Sequence, residues 1–190
     1  MTKQGGVRPD RTEAIMKATL DLAREVGYAK LSIEAVATRA GVGKHTVYRR
    51  WPSKGLLFHD SLMALNDPAT VRPDTGDIKE DLRQILHSTV DLMASPEWGP
   101  LYRALLGEAQ QDPAVAASLK ERFLDPATER MRTRVEAARR HGQIDAGFDA
   151  DLAMELLAGP MYYRYLVSQE PLTYERFDRI LDIVFEGLAP

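Results

Sequence analysis

The stretch AGVGKHTVYRRWPSKGLLFHD, residues 40–60, sets two glycines around one valine and follows them with Lys44, His45, Arg49, Arg50 and Lys54, interleaved with Tyr48 and Trp51. Cations with aromatic rings between them suit a phosphate-bearing partner. The run GVGKHT has the look of a nucleotide loop, in which backbone amides and a lysine cradle phosphates in the pattern G-x-x-x-x-G-K-[ST]. That pattern fails here. Its first glycine falls on Thr38, the hydroxyl after the lysine falls on His45, and the preceding segment reads as helical where such a loop follows a strand. The glycines need another explanation, and spacing supplies it. Ala37, Gly41 and Val47 lie four and six residues apart, which suits two helices joined by a tight turn. Ala37 is small enough for the next helix to cross closely, Gly41 can take the left-handed conformation of the turn, and Val47 packs back underneath.

That arrangement leaves one face of the second of these helices free. Lys44, His45, Thr46, Tyr48 and Arg49 are its candidates for base edges and phosphates, since such a helix fits the major groove of DNA with its N-terminal end leading. Gly43 opens the helix, where unpaired amides and the positive end of the dipole suit a phosphate.

Helical periodicity recurs along the chain and period-two alternation is never sustained, which predicts an all-α protein. PDRTEAIMKATLDLAREVGY opens on Asp10 with Glu13 three residues on, a capping-box arrangement, carries Ile15, Ala18, Leu22 and Val26 as one stripe, and stops at Gly27. Ser32 caps a second helix ending at Gly41, a short third runs from Gly43 or Lys44 to about Arg50, and a fourth starts at Pro52 or Ser53. Residues 66–77, NDPATVRPDTGD, are rich in proline, glycine and aspartate and are expected to join two domains, 8–65 and 78–190. Beyond the joint the pattern predicts a helix over 78–95, a shorter one from Trp98 to Gln110, and a long one from Asp112 to the HGQ at 141–143, kinked at Pro126. Two closing helices follow, over about 150–169 and 174–188.

Composition narrows the function. The chain has 190 residues, enough for a sizeable core, and no cysteine, which excludes disulfides, thiolate metal sites and a cysteine nucleophile. Its net charge of −3 is unevenly spread: residues 1–60 hold 11 lysines and arginines against 6 acidic residues, +5, and the remainder holds 14 against 22, −8. A basic head on an acidic body points to a polyanion as the head's partner. MTKQGGVRPDR lacks the apolar core of a secretion signal and no apolar run approaches bilayer length, so a cytoplasmic protein without a membrane partner is expected. Neither H-E-x-x-H nor G-x-S-x-G occurs, and the 4 histidines are scattered. His87 and Asp91, one helical turn apart, offer at most a pair of ligands, and Glu108 with Asp112 reads as solvated surface. No metal, cofactor or catalytic set is assigned.

VGKHTVYRRWPSK resembles the DNA-binding domain of the tetracycline-repressor (TetR) family, in which a Thr-aliphatic-Tyr core is followed by an aromatic and then Ser/Asn-Lys. The resemblance covers about Arg8 to Leu65. It implies that Tyr48 and Lys54 touch phosphate and that Lys44, His45 and Thr46 meet bases; with Ser32, Gly43 and Arg49 these form the expected DNA-binding set. Two departures stand out: Trp51 replaces the usual Phe, and Gly43 stands where Ser is frequent.

The closing segment LLAGPMYYRYLVSQEPLTYERFDRILDIVFEGL resembles the two helices through which such proteins dimerise as a four-helix bundle. The resemblance implies an interface of Leu156, Gly159, Tyr163, Phe177, Ile180, Leu181, Val184 and Phe185. It also implies a small-molecule effector among the middle helices, where Leu86, His87, Val90, Met93, Trp98, Tyr102, Phe123 and Met131 form an apolar and aromatic set. The expectation is a homodimeric regulator that binds double-stranded DNA, a repressor released from a palindromic operator by a hydrophobic effector. The alternative is an all-helical enzyme with an incidental basic surface.

Overall fold

The computed structural model describes residues 11–65, 73–145 and 147–187. The Asp10 side of the expected capping box and most of the 66–77 joint lie outside them. The described residues are helical, with no strand among them. The head comprises α1 (Arg11–Val26), α2 (Ile33–Ala40), α3 (Lys44–Tyr48) and α4 (Lys54–Leu65), and the second domain comprises α5 (Ile78–Ala94), α6 (Gly99–Ala109), α7 (Pro113–Leu119), α8 (Asp125–Arg140), α9 (Ala150–Tyr162) and α10 (Tyr174–Gly187).

In α1 the expected stripe holds for Ile15, Ala18 and Leu22, which are buried, but Val26 is exposed. The helix ends there and the chain turns away at Gly27, where φ is 79°. α2 and α4 both pack on α1, and α3 packs on α2. α5 starts on a side-chain cap: Asp77 Oδ1 accepts from the backbone N–H groups of Lys79 at 2.9 Å and Glu80 at 3.2 Å. Its buried residues Leu82, Leu86, Val90 and Met93 recur at helical spacing, and α5 lies against α10, α6 and α8. Asp81 is also buried. Its carboxylate accepts from Thr75 N–H at 2.9 Å and Thr75 Oγ1 at 2.8 Å and pairs with Arg134 of α8, which ties the segment before α5 to the second domain.

The long helix predicted after Asp112 is interrupted by a wider turn. α7 passes into a π-helical segment, Lys120–Leu124, and then α8, with right-handed helical backbone at each junction. Pro126 has no N–H to give the carbonyl four residues back and its ring crowds that carbonyl, which fits the wider turn just upstream. α9 likewise runs through Pro160 into a π-helical segment, Tyr163–Ser168, and stops at Gln169 with φ 53°. α4 is the helix that both domains share. It belongs to the head through α1, and its other side lies on α6 and α7.

Candidate nucleic-acid interface

Two backbone hydrogen bonds make the turn between α2 and α3. Gly41 sits at φ 68° and ψ 33°; its N–H reaches the Thr38 carbonyl at 3.2 Å, and the Val42 N–H reaches the Ala37 carbonyl at 2.9 Å. This left-handed closure satisfies carbonyls left over at the end of α2, and an L side chain at 41 would be strained in it. Gly43 returns to extended backbone, and its carbonyl accepts from Thr46 N–H at 2.9 Å to start α3. Val47 and Ala37 are buried, so α3 is keyed to α2 through the residues that the spacing singled out.

The opposite side of α3 is open. Gly43, Lys44, His45 and Arg49 are exposed, Tyr48 is 44% exposed, and Thr46 is half-buried. Among the described residues the side chains of Lys44, His45 and Arg49 have no hydrogen-bond or ion-pair partner, so they are open to an incoming ligand. Two other members of the expected set are occupied elsewhere. Ser32 caps α2, its Oγ accepting from Ala35 N–H at 3.2 Å. Lys54 is half-buried, with Nζ 3.3 Å from the Tyr28 carbonyl and 4.3 Å above the Tyr28 ring. A phosphate would compete with that carbonyl and ring, so Lys54 is here a tie between the start of α4 and the turn after α1.

Three braces that the sequence did not reveal stiffen the head. Arg39 makes two bonds of 2.8 Å to Glu25, joining α2 to α1, and Arg50 donates to Thr12 Oγ1 at 2.6 Å. Trp51 is 2% exposed, and its indole N–H donates to Asp60 Oδ2 at 2.9 Å. A buried indole needs an acceptor, and a carboxylate supplies a strong one. Pairs of this kind follow no periodicity, so no pattern in the chain marks them. Asp60 also meets His59 and Arg122. Burial raises its carboxyl pKa, but hydrogen bonds from His59, Trp51 and Arg122, with the charge of Arg122, outweigh that and hold it at about 2.

Residues 15–60 match the model for bacterial regulatory proteins of the tetR family, and residues 72–184 match the tetracyclin repressor-like C-terminal domain. The chain belongs to the TetR family. It is 27% identical over 190 residues to the HTH-type transcriptional regulator YdeS of Bacillus subtilis (strain 168), covering 98% of this chain and 94% of that one. It is 30% identical over 176 residues to the HTH-type transcriptional regulator Rv1556 of Mycobacterium tuberculosis (strain H37Rv), covering 93% and 86%. The crystal structure of the TetR-family regulator SCO0332 superposes with a TM-score of 0.75 at 30% identity, covering 95% of this chain and all 100% of that one. The chain is therefore a DNA-binding transcriptional regulator of the helix-turn-helix type and not an enzyme.

In this TetR-family protein most of the expected effector set is buried. Leu86, Val90, Met93, Tyr102 and Met131 are buried, and Trp98 and Phe123 are half-buried against the same core. The Tyr102 and Tyr162 hydroxyls meet at 2.9 Å, and burial pushes both phenols above their ordinary pKa, so both stay neutral. Trp98 stands at the domain seam, 4.1 Å below the Arg24 guanidinium. His87 faces α10, with Nε2 2.8 Å from Asp178 Oδ1 and its ring stacked 4.2 Å from Tyr174. It does not pair with Asp91, which accepts from the Tyr174 hydroxyl instead. No group of three or more metal-ligating residues occurs among the described residues. An open groove of about 450 Å³ beside α8 is lined mainly by Glu129, Arg132, Glu136, Arg139 and Arg140 and includes none of the eight expected residues. Glu108 and Asp112 are not solvated surface either. Both are half-buried at the seam, Glu108 beneath Gly55 and Asp112 capping α7 through Ala114 N–H at 2.9 Å.

The expected interface set divides as well. Leu156, Gly159 and Tyr163 are exposed, and Ile180 and Phe185 are half-buried. Phe177 and Leu181 are 0% exposed and Val184 is 4% exposed, which makes them part of the subunit's own core. α10 turns that row onto α5 and α9, and its outer row carries Ile183, 57% exposed. Leu152, Leu156, Tyr163, Leu166 and Val167 are likewise exposed apolar side chains along α9 and its π-helical extension, and α9 packs on α10. Sequence reading missed Leu152, Leu166, Val167 and Ile183 because each of these helices carries two apolar rows of like spacing.

Proposed function

We propose that this regulator is a homodimeric repressor that occupies a palindromic operator and leaves it when a small, largely apolar effector enters the second domain. The observation that carries the reading is the coexistence of an open cationic face on α3 with an unpartnered apolar strip on α9 and α10. Lys44, His45 and Thr46 lie at the leading end of α3 and take the base edges, while Tyr48 and Arg49, one turn on, take phosphates. Ser32 and Lys54 hold the frame that presents them. A strip of exposed Leu, Val, Ile and Tyr side chains is the kind of surface that subunit association covers, and a two-fold pair places two reading helices on successive major grooves, about 34 Å apart or a multiple of it.

Repression is the simplest outcome of this geometry. A dimer seated on an operator excludes other proteins from the same DNA without contacting any of them, whereas activation needs a further surface. The domain joint falls at 66–77, and the protein works in the cytoplasm, beside the chromosome. The Tyr102–Tyr162 hydroxyl pair, set in an apolar shell, offers the polar groups that orient an apolar, partly aromatic effector. Release requires the effector to favour the DNA-free arrangement, by about 1–3 kcal/mol in typical cases, and operator then weakens effector binding by the same factor.

The decisive experiment selects duplexes from a random-sequence pool with the full-length protein and weighs the complex by sedimentation. A palindromic consensus bound by two chains, with affinity falling steeply as salt rises, is the expected result. A non-palindromic consensus bound by one chain would refute the dimeric reading.

A further inference from the structure

Among the described residues the head meets the second domain at two charged ties. On α1, Arg24 pairs with Glu97 at 2.9 Å and covers the Trp98 ring, both in the turn between α5 and α6. On α4, Asp60 pairs with Arg122, and the neighbouring His59 Nδ1 lies 3.2 Å from Ser118 Oγ on α7. What lies behind the ties differs. Arg24 belongs to the last turn of α1. Asp60 leads to the reading helix, because its other oxygen accepts the Trp51 indole N–H at 2.9 Å and the Trp51 backbone N–H bonds the Val47 carbonyl, also at 2.9 Å. Three polar contacts in series thus run from the π-helical turn Lys120–Leu124 to the end of α3. The turn sets where Arg122 points, since one residue more or less in a helix rotates every later side chain by about 100°.

We infer that Arg122 is a positioning residue for DNA binding: from the second domain it fixes the reading helix through Asp60 and Trp51. The inference rests on the dimeric reading above, because the angle at which a head is held matters only when two heads must fit one operator. Asp60 holds the buried indole while its other oxygen is held by Arg122. Without the guanidinium, Asp60 Oδ1 keeps only the longer 3.4 Å contact with His59 Nδ1, and the partly exposed carboxylate turns toward solvent and relaxes away from Trp51. The last turn of α3 then loses its anchor to α4, while the Arg24 tie remains as a pivot.

Two readouts test this on the full-length protein. In samples carrying ¹⁵N in the tryptophan indoles, Arg122→Gln is expected to speed hydrogen exchange of the Trp51 N–H by about tenfold and leave that of Trp98 unchanged. Arg122→Lys, which keeps the charge, restores most of the protection, and Arg24→Gln leaves Trp51 as it is. On the duplex selected by the wild-type protein, Arg122→Gln is expected to weaken binding by about fivefold or more and to reduce discrimination against duplexes with one base pair added or removed between half-sites. Unchanged Trp51 exchange in Arg122→Gln overturns the assignment. So does an equal loss on every spacing together with a lower melting temperature, because that marks a residue that merely stabilises the fold. A wild-type protein indifferent to spacing defeats the dimeric reading instead, and the indole exchange still decides whether Arg122 acts on Trp51.

Discussion

A Cβ on Gly55 would come within 2.6 Å of Val115 Cγ2 and 3.1 Å of the Glu108 side chain, so α4 rests on α6 and α7 at a distance that only glycine allows. Val115 is fully buried and cannot swing aside. Gly55→Ala therefore overpacks the seam, at a cost of about 1–3 kcal/mol, offset by up to about 1 kcal/mol of improved helix propensity. A net loss of about 1 kcal/mol is expected in urea melts, recovered in part when Val115→Ala opens the space. A Gly55→Ala protein that melts at or above the wild-type midpoint would show that the seam is not close-packed.

Acid should loosen the same seam. Asp60 titrates at about 2 in the folded chain, below the ordinary aspartate value near 4, so its ionised form stabilises the fold above about pH 4 and that contribution disappears as pH falls from about 4 through 2. Asp60 is partly exposed, which limits the effect to about 1–2 kcal/mol. Asp60→Asn is expected to lose that much stability at pH 7 and to show a flatter stability profile toward low pH. Parallel urea melts from pH 7 to pH 3 measure it, and identical acid profiles for the two proteins would contradict the assignment.

The parts of this molecule that depend on neighbours in the chain were readable from it. Gly41 and Val47 announced the turn and the keyed helix because backbone conformation and helical spacing are local properties. The apolar rows of α5 and α10 were equally plain. Which row faces inward was not: Leu181 and Ile183 are two residues apart on one helix, and only the position of α5 decides that the first is core and the second surface. The same holds for Trp51, Asp60 and Arg122, whose meeting depends on how α4 lies against the wide turn before α8. The aromatic set around Tyr102 has the spacing of a core and of an enclosed pocket alike, and burial is common to both.

Those two residues of α10 separate folding from assembly. Leu181→Glu puts an unpaired carboxylate into a fully buried position, so the chain should fail to fold or lose about 3 kcal/mol or more. Ile183→Glu changes an exposed position, and together with Tyr163→Glu it should leave the far-ultraviolet circular dichroism intact while shifting the sedimenting species to monomer. A dimer that survives both outer substitutions would place the interface on another face.

On the reading face, contacts that specify and contacts that position should part company. Lys44→Ala or His45→Ala is expected to flatten preference at individual base pairs by about 1–3 kcal/mol, whereas Arg49→Ala should weaken all duplexes alike and reduce the salt slope by about 1. Lys54→Ala, whose ammonium is turned to Tyr28, should act mainly on stability. Affinities for a panel of single-base operator variants at two salt concentrations give both quantities. If the ranking of variants is unmoved in both the Lys44 and His45 proteins, base reading lies elsewhere on the helix.

The Tyr102–Tyr162 pair allows stability and effector recognition to be separated in one experiment. Each hydroxyl is the other's partner in a largely apolar surrounding, so Tyr102→Phe leaves the Tyr162 hydroxyl without one and is expected to lose about 1–2 kcal/mol. Removing both hydroxyls leaves two rings of nearly the same shape with nothing unsatisfied, and the double variant should recover most of that loss. An effector that uses these hydroxyls to orient itself behaves differently: its affinity should fall by about tenfold or more in the double variant, although the fold is intact, because the polar anchors are gone. Thermal melts of the wild type, Tyr102→Phe, Tyr162→Phe and the double variant give the first comparison. Titration of an operator-releasing ligand, followed by Trp98 fluorescence in a Trp51→Phe background, gives the second. Full effector affinity in the stable double variant would place recognition away from the tyrosine pair and leave the two hydroxyls with a purely structural role.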